Sequence, residues 1–396
     1  MFSVSKFLGV EKDNEVLLYR AYLAFFCSGM MTNVLGAILP YMGENYGFSY
    51  AFRGTLSSIN QMGNLLAVWL SGFLPFMIGR KNSTLLLGSG IVIGLVIMAL
   101  TGNPLFVALA FILVGLGRGT MSNITNVIVG QYTANKSAGL NLLHATFAVG
   151  AVASPFIVAF LGSDKWRWPV LAIALMMIVS LVLLATSKLE NKKSVKAKDE
   201  SAIPTSFDFW LNTAILFFYL CCEASLMNWL VTYFRDSGIF NVAISTIMSS
   251  LLWLMILLGR LICAYLSSRI RNKSYLILLM GLMVTGFFIL MLTATKPAFI
   301  MVGVLGTGFS MSGIYPTTLS TQAKKYNKST IATGTCIASA TLGSIIMPGV
   351  IGTVAEGHGI EAGMATILIA LVLMIALMIV KVFYTKYQIK NNLFEN

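Results

Sequence analysis

The chain has 396 residues, of which 57% are hydrophobic and only 10% carry a charged side chain. Soluble domains carry about 25% charged residues, so the composition excludes an ordinary globular protein and points to one embedded in a bilayer. The formal net charge of +13 is scattered through short segments between apolar runs, a pattern that sets membrane orientation and argues against a nucleic-acid surface.

Apolar runs of about 20 residues, the length a helix needs to cross the hydrocarbon core, recur from end to end. Breaking the sequence at charges, Gly/Pro clusters and polar turns predicts spans over 17–42, 53–78, 83–101, 104–130, 138–161 and 167–187. Six more follow over 209–235, 242–268, 274–294, 297–323, 330–354 and 361–385. The first run is long enough to stay in the membrane, and it lacks the short form and small-residue cleavage site of a removable signal peptide. Between the third and fourth spans lies only TGNP, whose Asn-Pro pair favours a turn and so an antiparallel hairpin. Cys27, Cys221, Cys222, Cys263 and Cys336 all fall within apolar runs. They read as small core residues, without disulfide or metal-ligand spacing, and no metal or other cofactor is expected.

With the N-terminus inside, 19 of the 27 Lys and Arg residues fall in inside segments, five in outside segments (Arg53, Lys165, Arg167, Arg235, Lys296) and three within spans (Arg20, Arg118, Arg260). That asymmetry predicts a plasma (inner) membrane protein with both termini cytoplasmic. The longest polar stretch, 188–208, has the low hydrophobicity and high charge of a flexible cytoplasmic linker. It divides a first six-helix bundle, 1–187, from a second, 209–396.

The halves read as repeats. Arg80 in IGRKNS matches Arg271 in RIRNKS, 191 residues later, and GLGRGTMS in the fourth span matches GTGFSMSG in the tenth at the same offset. GAVASP and GSIIMP share a Gly-x4-Pro frame in the fifth and eleventh spans, at an offset of 193. Three matches in equivalent spans argue for duplication of a six-helix unit.

On these residues the chain resembles the major facilitator superfamily over essentially its whole length. SGFLPFMIGRKNS, after the second span, is similar to the family's Gly-x-x-x-Asp-x-x-Gly-Arg-Lys loop: Gly72, Gly79, Arg80 and Lys81 match, and Phe76 stands in place of the aspartate. LGRLICAYLSSRIRNKS through the eighth span is the second supporting stretch. Within the superfamily, LNLLHATFAVGAVASP, CCEASLMNWLVTY and GFSMSGIYPTTLS resemble the fucose–galactose–glucose:proton symporter group. The resemblance implies an all-α membrane fold of twelve transmembrane helices in two pseudo-symmetric bundles. It also implies monomeric function and a central cavity lined by spans 1, 4, 7 and 10. The acids that carry the proton in that group have no counterpart by position: Gly36 or Ala37 and Thr120 stand there.

Charges at membrane depth are rare and face a cavity or one another. Glu223 is the only acid well inside a span, and Arg118 lies about as deep in the fourth. Opposite charges at similar depth on cavity-lining spans are expected to pair. Such a pair either neutralises both groups or rearranges in transport. Burial and a neighbouring cation push a carboxylate's pKa in opposite directions, so breaking the pair would couple proton uptake to the change of face.

The candidate solute-binding residues are Arg118, Asn33, Gln61, Asn123, Asn126, Asn228, Trp229 and Tyr315, because amides and aromatic faces with few charges suit a polyol or sugar. The same amides serve equally well as interhelical hydrogen-bonding groups. Proton coupling is assigned to Glu223, with His144 as a possible relay or a satisfied neutral histidine. Gating falls to Arg80 and Lys81 of the loop and to Arg260, which is expected to reach the cytoplasmic interface or a neighbouring helix end. Tyr315-Pro316 reads as a kink, and glycines such as Gly115 and Gly308 as points of close helix approach.

A secondary transporter using alternating access is the reading these residues favour, with proton-coupled uptake of a sugar-like solute as its specific form. A drug or metabolite:proton antiporter and an uncoupled facilitator are the alternatives. A receptor would need soluble mass that this sequence does not offer. No Ser/His/Asp set, carboxylate pair or phosphate-cradling loop marks an enzyme, and no ATP-binding signature occurs. The expected partners are therefore a small-molecule solute, protons and the lipid bilayer.

Overall fold

The computed structural model describes residues 8–134, 136–161, 165–187, 205–270, 272–323, 326 and 330–391. Most of the expected linker, 188–204, and the repeat-matching Arg271 lie outside the described residues. The first half holds α1 (Lys12–Tyr46), α2 (Tyr50–Ile78), α3 (Arg80–Leu100), α4 (Pro104–Tyr132), α5 (Lys136–Leu161) and α6 (Arg167–Ala185). The second holds α7 (Phe207–Asp236), α8 (Val242–Arg269), α9 (Lys273–Thr293), α10 (Pro297–Met311), α11 (Ile314–Ser320), α12 (Thr330–His358), α13 (Ile360–Ala365) and α14 (Ile367–Lys390). Among the described residues, twelve helical stretches are long and apolar enough to cross a membrane. The tenth is α10 continued by α11, and the twelfth is α13 continued by α14.

Local chemistry sets several ends. In the TGNP turn the Asn103 side chain accepts from the Leu105 backbone N–H at 3.0 Å, and Pro104 takes the first helical position, where its missing N–H costs nothing. Ser206 caps α7 in the same way through the Phe209 N–H, and Asn272 caps α9 through that of Ser274. The tenth span is broken at Ser312 and Gly313. Pro316 has no N–H for the Ser312 carbonyl four residues back, and its ring crowds that carbonyl. The kink expected at Tyr315-Pro316 is therefore present, displaced one turn upstream.

Contacts divide the chain into two units. The first takes the described residues within 1–48, 59–195 and 242–250, and the second those within 49–58, 196–241 and 251–396. The first turns of α2 thus belong with the second unit, and the first turns of α8 with the first. In the first unit, Ser249 donates to the Asn33 side chain at 2.9 Å, Ser250 donates to the Val152 carbonyl at 2.8 Å, and the Thr246 and Tyr41 hydroxyls lie 3.3 Å apart.

Each unit contains a backbone contact that only glycine permits. A Cβ on Gly29 would lie 2.0 Å from the Phe147 carbonyl oxygen, and one on Gly150 would lie 2.2 Å from that of Phe26, so α1 and α5 touch main chain to main chain. In the second unit a Cβ on Gly343 would come within 2.2 Å of the Phe217 carbonyl oxygen, pressing α12 onto α7 in the same manner. The first and fifth spans of one half, and the first and fifth of the other, are paired alike.

Candidate functional site

In the second unit a polar cluster sits at the middle of α7. Glu223 accepts a hydrogen bond from the Tyr219 hydroxyl at 2.9 Å. One helical turn separates the two residues, so both occupy one face. From α8 the Arg260 guanidinium reaches 4.0 Å from the same carboxylate oxygen. From α11 the Tyr315 ring stands 6.1 Å from that of Tyr219. Tyr219 is buried, whereas the Glu223 side chain keeps 20% of its surface accessible and Arg260 keeps 33%. The cluster is therefore reachable rather than sealed.

Sequence reasoning placed Arg260 at an interface or helix end; the structure instead makes it an ion-pair partner of Glu223. That partnership is invisible along the chain because it joins residues on neighbouring helices 37 positions apart. Tyr219 was missed for a different reason. A tyrosine on an apolar helix reads as core until an acid four residues on is recognised as its acceptor.

In the first unit, Arg118 donates to the Gln61 side-chain oxygen at 2.6 Å, tying α4 to α2. Both are partly buried. Asn123 is exposed and lines a cavity of about 200 Å³ with Ser71, Arg80, Ser83, Thr84 and Thr120. Arg80 also donates to the Gln131 side chain at 3.4 Å, and Lys81 to the Ser187 carbonyl at 3.3 Å. These two loop cations bind the ends of α3, α4 and α6 together. His144 is exposed on α5, its ring edge-on to Phe25 at 5.4 Å.

Several other expected solute ligands are engaged in the helix framework. Asn33 is buried; its amide nitrogen donates to the Ala151 carbonyl at 2.7 Å while its oxygen receives Ser249. Asn126 and Asn228 donate to carbonyls of their own helices, Ser122 and Ala224, each at 2.7 Å. Trp229 is fully buried, and its indole N–H donates to the Pro348 carbonyl at 3.2 Å. Expected as an aromatic face for the solute, the Trp229 indole packs between α7 and α12 and is bonded to the Pro348 carbonyl.

Arg53, counted among the outside charges at the start of the second span, lies in the first turn of α2 and is 6% exposed. Its guanidinium stacks 4.2 Å from the Tyr50 ring centroid and lies 3.8 Å from Asp236. Its position at the edge of an apolar run concealed this, because hydropathy places the edge without saying what packs on it.

Among the described residues, twelve membrane-length helical stretches, one of them bearing a partly accessible ionic cluster, mark a multi-pass membrane transporter. The chain belongs to the Major Facilitator Superfamily, whose family model matches residues 21–340. The glucose/mannose transporter GlcP of Bacillus subtilis is 24% identical over 386 residues, covering 88% of this chain and 92% of that protein. Bypass of stop codon protein 6 of Saccharomyces cerevisiae is 22% identical over 64% of this chain. An uncharacterised MFS-type transporter of Yersinia pestis is 26% identical over 52%. The chain spans a little over half the length of these last two relatives. Among solved structures, the fold is shared with a bacterial homologue of the human lysosomal transporter Spinster (TM-score 0.74, 13% identity, 93% of this chain and 97% of that one). It is shared as well with the nucleoside transporter NupG (TM-score 0.73, 15% identity, 92% and 98%).

Proposed function

We propose that this protein moves a small polar, sugar-like solute across the plasma (inner) membrane by alternating access, drawing in protons with it, as a monomer with cytoplasmic termini. The observation that carries the reading is Glu223, a partly accessible carboxylate at the middle of α7, sixteen residues into a 30-residue helix. A carboxylate at that depth is costly unless it is used, and it can bind a proton. The likeness to a glucose/mannose transporter over most of both chains supports a polyhydroxylated solute. Arg118 and Gln61, already joined, offer donors and an acceptor for hydroxyl groups. Exposed Asn123 and half-buried Asn126, Asn228 and Tyr315 extend the candidate solute set, and exposed His144 remains the candidate relay. The proton-symporter group named from the sequence belongs to this proposal in its solute class, with Glu223 in the coupling role.

The test is uptake into proteoliposomes across a panel of hexoses and nucleosides, with and without an inward proton gradient. Gradient-driven accumulation of one solute is expected, and its loss in Glu223→Gln. Transport down the solute's own gradient that an imposed proton gradient leaves unchanged would refute symport. It would favour a facilitator in which Arg260 keeps Glu223 permanently ionised.

A further inference from the structure

Within the first unit, the last turns of α2, the first turns of α3 and the second half of α4 enclose the cavity of about 200 Å³. Its lining holds one cation, Arg80, and no acidic side chain. Arg80 is partly buried, and its side-chain partner among the described residues is the neutral amide of Gln131 at 3.4 Å. Phe76, four residues earlier, supplies no carboxylate. The guanidinium thus lines an enclosed space without a counter-charge. Around it stand the buried hydroxyls of Ser83, Thr84 and Thr120, each donating to a carbonyl of its own helix at 2.9 Å. Such a bond is readily exchanged for one to a charged acceptor, which is about twice as strong. Ser71 joins the walls by donating to Thr120 at 3.3 Å, and the exposed Asn123 adds amide donors.

The duplicated half does not keep this lining. At the 191-residue offset that relates the halves, Ser71, Thr120 and Asn123 correspond to Ile262, Met311 and Ile314. Three polar wall positions become apolar, and Met311 and Ile314 are buried. The same region of the second unit is filled: a Cβ on Gly313 would collide with the Cys263 thiol, which itself lies 3.4 Å from the Thr317 hydroxyl. The polar cavity is therefore a feature of the first half and not a by-product of the repeated six-helix unit.

We propose that this cavity binds a phosphate group, carried either by an anionic phospholipid headgroup or by a free phosphate ion, with Arg80 as its charge partner. Donors on α2, α3 and α4 surround the space, and a tetrahedral phosphate presents oxygens to all three walls, whereas a planar carboxylate has two. The guanidinium fork suits the same group. At about 200 Å³ the cavity is below the roughly 300 Å³ at which pockets for whole drug-sized ligands begin, and it matches a compact ion or headgroup. Phe73 and Met77, exposed on the same turns of α2 as Ser71, give an acyl chain an apolar surface next to it. The inference is independent of the transported solute and of the role of Glu223.

Binding is measured on the purified full-length protein, stripped of lipid in a neutral detergent. Native mass spectrometry counts bound dioleoylphosphatidylglycerol against uncharged dioleoylglycerol. Inorganic phosphate is read separately, as a rise in the unfolding midpoint over chloride at equal ionic strength. Binding of the phospholipid, of phosphate or of both is expected, and a weakening of about tenfold in Arg80→Gln, the size of a lost charge-assisted hydrogen bond. Lys386→Gln, which removes an exposed cation of α14, should bind as the wild type does. Ser71→Ile installs the second half's residue while keeping the charge. It should also weaken binding several-fold, and it carries the test should Arg80→Gln fail to fold. A response to phosphate alone assigns the site to a free ion, and a response to the phospholipid alone assigns it to lipid. Equal binding of the two lipids with no response to phosphate would overturn the inference. So would wild-type affinity in both Arg80→Gln and Ser71→Ile, an equal loss in Lys386→Gln, or no response to either phosphate or phospholipid.

Discussion

The guanidinium of Arg53, near the start of α2, lies 3.8 Å from the carboxylate of Asp236, the last residue of α7, and Tyr50 donates to the same carboxylate at 2.8 Å. One side of the pair is almost fully covered and the other is 22% accessible. Removing one partner leaves a covered charge without its counterpart, which costs about 3 kcal/mol. Asp236→Asn should lower the thermal unfolding midpoint in detergent markedly. The double variant Arg53→Met/Asp236→Leu should lie closer to wild type than either single change. Strict additivity of the two would show the pair to be uncoupled.

The two kinds of glycine predict opposite signs. Gly29→Ala drives a methyl into the Phe147 carbonyl, main-chain atoms that cannot turn aside. It should prevent assembly or destabilise it by more than about 2 kcal/mol. Gly286, inside α9, has nothing within 4 Å of its added carbon. Gly286→Ala should stabilise by about 0.5–1 kcal/mol through helix propensity alone. Monodispersity and melting temperature after purification decide both.

Trp229→Phe separates packing from recognition. It removes the bond to the Pro348 carbonyl and should cost about 1–2 kcal/mol of stability. The concentration of solute giving half-maximal uptake should stay at the wild-type value. A large rise in that concentration at unchanged stability would return the indole to the binding set.

Between α7 and α11, the Asn212 amide nitrogen and the Thr318 hydroxyl are buried with no hydrogen-bond partner among the described residues. Replacing such a group by an apolar one of similar shape is close to neutral or favourable. Thr318→Val should therefore raise or leave unchanged the unfolding temperature. A clear drop would mean that the hydroxyl is bonded in solution, with buried water as the partner.

The spans were legible because each is a long apolar run between polar turns, and the Asn103 cap, the Pro316 break and the small buried cysteines follow from local chemistry. The site was legible in part. Glu223 and Arg118 stood out as charges in apolar sequence, since isolation within a run is a property of the chain itself. Their neighbours did not stand out. A helical period tells which face Glu223 occupies, but not that α8 brings Arg260 to it, nor that Asn33 is bonded on both ends. Arg53 and Trp229 show the same limit: the residue type is read along the chain, while its partners, Asp236 and the Pro348 carbonyl, arrive from another helix.

The exchange of helix starts bears on how this chain can be divided. The first turns of α2 cluster with residues of the second half, and the first turns of α8 with residues of the first. A cut within 188–204 would produce two polypeptides, each lacking a strip of its own folded body and each carrying a strip of the other's. Made separately, each fragment would present unmet surface. Made together in one cell, they would complete one another, and the recovered activity would measure how much of the protein's integrity lies in those two borrowed segments rather than in the peptide bonds between the halves.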